Sequence, residues 1–561
     1  MKCSNYFKML ALSLIVASCS SDEVPRPGIV TSPDGTAYLN MAFNLPTQNS
    51  GSRAQNDQFE DGIASEYQVN SANLVTFIGS SESDAKLTEV IPMIAFQPWN
   101  TAGTTDQVTT RREVVQEIKV VPTEDQKIYA FILLNVNMED EKIKRIFEKD
   151  KTISDIMNAK VSTLTGVGGG LIMMNAPLVF TSDGSTSVKT LVEIPADNIK
   201  PTIEEAQQAG TVEIYLERGV AKVTIGKHDA QAEFDNMPVD PDNSPLTVTL
   251  GSWAIDQTNK ESFFARNVTD FDTWKDYKHP DAAKRMIGNT RVYTPESDDD
   301  KNPYQNAFRI YWAKDPNYEN TSTPTKDDLN RIENTDVKNG WEDVVYPLEN
   351  VNAISNQLKN NTTRLVFKAS IQLKNNSAGS TVFQLATDGK IYSFDNLKNH
   401  IKNIITYVLG EETSVKLVDS PSFLTEAGSR LISENDLTGG IVSAENFTTI
   451  QNNVGTITTY LDGVCYYTTP IKHFGDDLTP WNSATDPQDY SGTDGAEKWL
   501  GRYGVLRNNW YHIDVKSIST LGSATVPEPV NPDIPVDEKK YQIDITCNIF
   551  SWAKRAYEVD L

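Results

Sequence analysis

The chain has 561 residues, with 51 Lys and Arg against 76 Asp and Glu, a formal net charge of −25 at pH 7. At about 100–200 residues per domain, that length points to about three domains, or to two enlarged by insertions. An acidic surface without any Lys/Arg run argues against nucleic acid and against an acidic membrane surface as partners, and no apolar stretch reaches the ~18 residues of a membrane-spanning helix.

Residues 1–18 form an expected signal peptide, in which Lys2 and Lys8 precede a short apolar run from Met9 to Ala17. The run ends in Val16-Ala17-Ser18-Cys19, which resembles a bacterial lipobox and implies an acylated N-terminus at Cys19; the alternative is an ordinary signal peptide with a chance cysteine. Two or three acyl chains would hold such a precursor on a membrane. Residues 19–35 then read as a tether, whose Ser20-Ser21-Asp22-Glu23 looks like the acidic signal that sends Bacteroidetes lipoproteins to the cell surface.

Next comes a predicted half-buried strand with Leu39, Met41, Phe43 and Leu45 on one face, closed by Pro46. Residues 47–62 are polar and contain glycine, so an exposed loop is expected, with Arg53 as the sole arginine between Pro27 and Thr110. Further strands are predicted at Asn73–Ile78 and Lys127–Val136, the second apolar on both faces and hence central in a sheet. Glu139–Lys160 has a helical pattern, with Ile143, Ile146 and Phe147 on one face. Gly166-Val167-Gly168-Gly169-Gly170 reads as a flexible loop, because it lacks the third glycine and the lysine of a phosphate cradle.

Thr211–Ile225 reads as one more strand, after a domain boundary near residue 210. The stretch 228–345 is acidic and rich in Asp-Pro and Asn turns, so it reads as loops. Strands are expected again at Leu365–Leu373, Val464–Tyr467 and Asn509–Ile518, with His512 facing outward in the last. Short strands separated by turn clusters indicate antiparallel sandwiches rather than parallel α/β units. Residues 525–540 carry four prolines among acids and read as a stiff linker. After it, Tyr541, Ile543, Ile545, Cys547 and Ile549 alternate strictly with polar residues, an amphipathic strand at the end of an arm.

An apolar-faced strand at each end, one followed by a cuttable loop and one preceded by a stiff arm, points to strand replacement. If the chain is cut after Arg53, the first strand is free to leave, and a strand from another subunit can enter by β-strand addition. Five apolar side chains at about 1.5–3 kcal/mol each give roughly 7–15 kcal/mol before ordering costs. Groove and donor lie on different surfaces, so the contact is head-to-tail and builds an open filament.

The sequence resembles the fimbrillin family of Bacteroidetes, in its branch of major shaft subunits of short, Mfa-type fimbriae (type V pili). The residues that carry the resemblance are the lipobox with Cys19, the strand followed by Gly51-Ser52-Arg53-Ala54, and the segments Leu216-Glu217-Arg218-Gly219-Val220-Ala221-Lys222-Val223 and Arg507-Asn508-Asn509-Trp510-Tyr511-His512-Ile513. Ser551-Trp552, the terminal Tyr557-Glu558-Val559-Asp560-Leu561 and, more weakly, Met173-Met174-Asn175 add to it. It implies a mainly β fold of two transthyretin-like antiparallel sandwiches with a few short helices and long loops. The expected division is 1–18 signal, 19–35 lipidated tether, 36–53 removable strand, 54–210 N-terminal β domain, 211–524 C-terminal β domain, 525–540 linker and 541–561 donor strand.

The resemblance further implies cleavage at Arg53–Ala54 by an Arg-specific protease and insertion of Tyr541–Ile549 into the next subunit. The implied partners are other copies of the chain, fimbrial anchor and tip subunits, the protease, host or bacterial surface receptors, and the outer membrane through the precursor's lipid. The implied location is a cell-surface fimbrium serving adhesion and biofilm formation. The competing readings are a fimbrial tip or anchor subunit and a surface glycan-binding lipoprotein with exposed Trp99, Trp253 and Trp341.

Catalysis has no motif to support it. His228, His279, His400, His473 and His512 are scattered, and H-E-x-x-H, G-x-S-x-G and a calcium-loop pattern are all absent, so neither an enzyme, a metal nor a cofactor is expected. The acidic run 296–300 reads as a solvated loop, and Cys465 and Cys547 as two separate thiols.

Overall fold

The structure, a computed structural model, describes residues 29, 31–44, 66, 68–93, 111–119, 122–182, 185–228, 231–234, 246–269, 271, 285–291, 304, 306–317, 328–351, 354–358, 361–482, 485–486, 496–528 and 543–551. Cys19, Leu45, Arg53, Ala54, Trp99, the run 296–300 and Tyr541 lie outside the described residues.

The fold is mainly β, as expected. Alternating and doubly apolar segments become strands β1 (Ala37–Asn44), β2 (Ala72–Gly79), β3 (Lys86–Pro92), β4 (Arg111–Ile118), β5 (Lys127–Leu134), β6 (Met173–Asn175), β7 (Val192–Ile194) and β8 (Val212–Arg218). They form one sheet in the order β3-β2-β5-β6-β8-β1-β4, with β7 also paired to β5. The sheet curls over itself, since Leu39, Met41 and Phe43 of β1 share a core with Leu74 of β2 and Ile128 and Ile132 of β5. On the opposite face of β5, Tyr129, Phe131 and Leu133 enter a second core, so this strand is buried on both sides, as its sequence requires.

The predicted helix over 139–160 is two short ones, α1 (Glu141–Ile146) and α2 (Ile153–Met157). Asp150 has φ of 70°, a left-handed conformation that breaks the helix. Thr152 then starts α2 with a reciprocal cap shared with Asp155. The glycine run is a tight turn rather than a loose loop: a Cβ on Gly166 would lie 1.7 Å from the Asn135 carbonyl oxygen. A third helix, α3 (Ile203–Gln208), lies against β1 and β4.

The predicted strand 211–225 is likewise two elements. The chain leaves the first sheet at the end of β8 and enters another as β9 (Lys222–His228), after the break at Gly219-Val220-Ala221. A Cβ on Gly219 would press on the Leu164 side chain at 3.1 Å, so the turn is close-packed. The later strands are β10 (Gln231–Phe234), β11 (Leu246–Asp256), β12 (Arg364–Leu373), β13 (Val464–Pro470), β14 (Asn509–Ile518) and β15 (Ile543–Ser551). They make two sheets, β9-β14-β15 and β10-β11-β12-β13. These face each other as a sandwich whose core joins Val223, Tyr511, Ile513, Val515 and Ile545 to Val248, Trp253, Phe367, Ile371 and Tyr467.

The stretch expected to be loops is not idle. Ser262–Phe263 pairs with Lys160–Val161, and Ala307–Ile310 pairs with Leu178–Ser182. Phe264, Met286, Ile310 and Trp312 fill the second core beside Phe131 and Phe474. Between β12 and β13, α4 (Phe394–Leu409) and α5 (Ala444–Val454) bury Leu397, Ile401, Ile405, Ile450 and Val454 over a small sheet that includes Phe383.

Candidate functional site

Strand β1 occupies an interior position. It runs parallel to β8, from Met41 opposite Val212 to Asn44 opposite Tyr215, and antiparallel to β4, from Ala37 opposite Ile118 to Asn44 opposite Arg111. Among the described residues, β4 has its backbone ladder with β1 alone. The inward side chains Leu39, Met41 and Phe43 are 0 % exposed, a burial of about 5–9 kcal/mol gross at about 1.5–3 kcal/mol each. The outward face is pinned by two amides: Asn40 Nδ2 donates to Thr211 Oγ1 at 3.1 Å and Asn44 Nδ2 donates to Glu213 Oε2 at 2.6 Å. Neither Thr211 nor Glu213 stands out in the sequence, because their role exists only once β1 and β8 are paired.

Downstream of Arg53, Glu66 fixes the chain. It is 0 % exposed, accepts from Tyr346 Oη at 2.6 Å, and pairs with Lys222 Nζ at 2.7 Å. That ammonium stands 3.9 Å from the Trp510 ring centroid. No periodicity flags a single glutamate in a polar stretch, and sequence reasoning passed it over.

The two internal segments singled out above meet each other. Arg218 N donates to Asn508 Oδ1 at 3.1 Å, and Asn508 N donates to the Val220 carbonyl at 2.7 Å. β9 and β14 continue as parallel neighbours, Lys222 opposite Trp510 and Val223 opposite Tyr511. Around this joint, Arg507 pairs with Glu349 at 2.6 Å and Arg266 with Glu217 at 2.7 Å. Burial pushes the Glu217 carboxyl up, against the opposing pull of Arg266 and Arg507. Nearby Asp315 is raised to about 7, mainly by burial, although Asn317 N, Val351 N and Asn259 Nδ2 all donate to it. These motifs are therefore the joint between the two sheet systems. Trp510 Nε1 donates to Thr224 Oγ1 at 2.7 Å, and the same hydroxyl meets His512 Nδ1 at 2.8 Å, so His512 is half-buried against β9.

Strand β15 pairs antiparallel with β14 at the edge of its sheet, Ile549 opposite Tyr511 and Cys547 opposite Ile513. Ile545 is 8 % exposed and sits in the sandwich core. In the single chain, this strand is therefore held by its own body. The linker is fastened at its start, where Val526 N donates to Asn334 Oδ1 and Arg364 Nη2 donates to the Pro527 carbonyl. Cys465 is a free, buried thiol whose pKa burial pushes up to about 12. Among the described residues, no group of three or more His, Cys, Asp or Glu is placed to hold a metal ion, and no helix is long and apolar enough to cross a membrane.

Residues 458–558, which contain β13, β14 and β15, match the family described as major fimbrial subunit protein type IV, fimbrillin, C-terminal. This region is similar to the C-terminal region of fimbrillins. No curated protein matches the chain. Solved structures similar to it include a fimbrilin from Porphyromonas gingivalis W83, at 12% identity over 91% of this chain and 97% of that one, TM-score 0.34. The tip fimbrial protein Mfa3 of Porphyromonas gingivalis is 10% identical over 91% of this chain and 99% of that one, TM-score 0.26. A protein from Parabacteroides distasonis, described as a candidate cell adhesion protein, is 12% identical over 92% and 99%, TM-score 0.33. It is the family match that carries the likeness of the C-terminal region to fimbrillins.

Proposed function

We propose that this chain is a non-enzymatic structural subunit of a cell-surface fimbrium, exported as a precursor lipidated at Cys19 and polymerised into the shaft by strand replacement. Cleavage between Arg53 and Ala54 frees β1, and the 541–561 segment of a neighbouring subunit takes its place. One observation carries this reading: β1 is an interior strand with a wholly buried inward face, so its removal opens both a backbone ladder and an apolar trough. Both segments have the required chemistry, since β1 and β15 are short, alternating strands at opposite ends of the chain. The fimbrillin match over the C-terminal strands supports the same reading.

The direct test treats the purified precursor with an Arg-specific protease. A new N-terminus at Ala54 together with SDS-resistant ladders is the expected result; cleavage without oligomers would sink the polymer reading. A chain lacking 541–561 should remain a folded monomer and form no ladder. An anchor role would instead leave the Arg53–Ala54 bond uncut and the lipid in place.

A further inference from the structure

The sequences of the two end strands share more than alternation. β1 and the residue after it read Leu39-Asn40-Met41-Ala42-Phe43-Asn44-Leu45, and β15 reads Ile543-Asp544-Ile545-Thr546-Cys547-Asn548-Ile549. Apolar residues stand at positions one, three, five and seven of both, and an Asn or Asp stands at positions two and six of both. Positions two and six of β1 are Asn40 and Asn44, the residues that bond Thr211, just before β8, and Glu213 on the outward face of β8.

Resting on the replacement reading above, we infer that the incoming strand of a second copy enters in the direction of β1, with Ile543 at the place of Leu39, and that Thr211 and Glu213 select this register. In it Asn548 takes the place of Asn44 and donates to the Glu213 carboxylate. Asp544 takes the place of Asn40 and accepts from the Thr211 hydroxyl. The strand runs parallel to β8 and antiparallel to β4, as β1 does. Shifting by two residues either way keeps the apolar face inward but loses the pair of acid or amide side chains. A shift toward the C-terminus puts Thr546 and Phe550 at these places, and the opposite shift puts Gln542 and Thr546 there. Shape pulls the other way, because the register sets Cys547 in the space of Phe43, where a smaller side chain fills less of the trough. The polar pins decide, since a misplaced strand would leave the Glu213 carboxylate facing Phe550 or Thr546 in a closed sheet.

The register can be read with the chain's own thiol. Phe43 lies opposite Arg112, and Met41 lies opposite Val114. Directly opposed residues bring their Cβ atoms to about 4.5–5.5 Å, within reach of a disulfide after slight adjustment or of a short bismaleimide. Mature Arg112→Cys subunits should therefore form ladders that become covalent through native Cys547 on oxidation and fall apart on reduction; Val114→Cys subunits should not. Covalent ladders from Val114→Cys and none from Arg112→Cys would overturn the register while leaving strand replacement intact. Absence of any ladder from the unaltered mature chain would instead remove replacement itself, and the register with it. A second variant guards against a misfolded cysteine mutant: Glu213→Lys should cut ladder yield about tenfold, as for a lost charge-assisted hydrogen bond, and Asn548→Glu in the same chain should restore it. Equal loss in the double variant would count against Asn548 meeting residue 213.

Discussion

At the residue scale, the densest chemistry lies in the joint between the sheets. Arg507 is 0 % exposed; besides Glu349 it donates to the Phe263 and Phe264 carbonyls and to Ser262 Oγ. Arg507→Ala would strand the Glu349 charge in the interior, so it should destabilise the chain by about 3–5 kcal/mol in urea unfolding. Lys127→Ala, at a pair with Glu193 whose side chains are 38% and 36% exposed, should change stability by only about 0.2–1 kcal/mol. Asp315 gives the joint a pH dependence. Its folded carboxyl holds a proton up to about 7, whereas its ordinary value is 3.8, so folding takes up a proton between those limits. The stability it contributes is present below the lower value and is lost as pH rises through the higher one. Unfolding midpoints of the parent should fall across that window, and Asp315→Asn should flatten the fall. The motifs that carry the family resemblance were legible in the sequence, but their joining role was not. Arg218 and Asn508 are 290 residues apart, and nothing local to either points to the other.

Legibility changes at the scale of elements. Strands with one dry face or two, β1, β2, β5, β12 and β14, could be read from period-two or continuous apolar patterns. Breaks within patterned stretches could not, because they depend on distant atoms. β8 and β9 separate where Gly219 meets Leu164, and the helix over 139–160 parts at a left-handed Asp150. Helix α4 did carry a signal, with Ser393 capping its start, Leu397, Ile401 and Ile405 four apart, and Gly410 at φ 92° closing it. For the candidate site, the inward residues of β1 were legible from alternation, while its pins Thr211 and Glu213 lie at the start of a partner strand that only the fold identifies. Phe43→Ala tests the role of β1 as a temporary element: the uncut precursor should lose about 3–5 kcal/mol by the usual cost of emptying a core site. If strand replacement discards the residue, the assembled filament should melt unchanged; a lower melting point in both would show that β1 remains.

At the scale of the whole molecule, the acid excess constrains assembly. The proposed cleavage after Arg53 would remove four basic and three acidic residues, leaving 47 against 73 and a charge of −26. Like-charged copies repel one another, so the proposed filament would be held by apolar insertion rather than by charge pairing. Raising salt from about 10 mM to 150 mM shortens the screening length from about 30 Å to 8 Å, so ladder formation should speed up, and preformed ladders should not dissociate. Slower assembly in salt would mean that complementary charges, not strands, draw the subunits together.

On the proposed mechanism, the interior place of β1 also sets when assembly can begin. With the Arg53–Ala54 bond intact, β1 would compete for its own trough as a tethered ligand, at an effective concentration of the order of millimolar. A donor strand on another molecule, far more dilute, would lose that contest however well it fits. A cut there would turn the occupant into a free peptide whose concentration is merely that of the subunits, and every departure would then give the neighbour a chance to enter. A single peptide bond would thus act as a clock, holding a self-complementary protein monomeric until a protease is met.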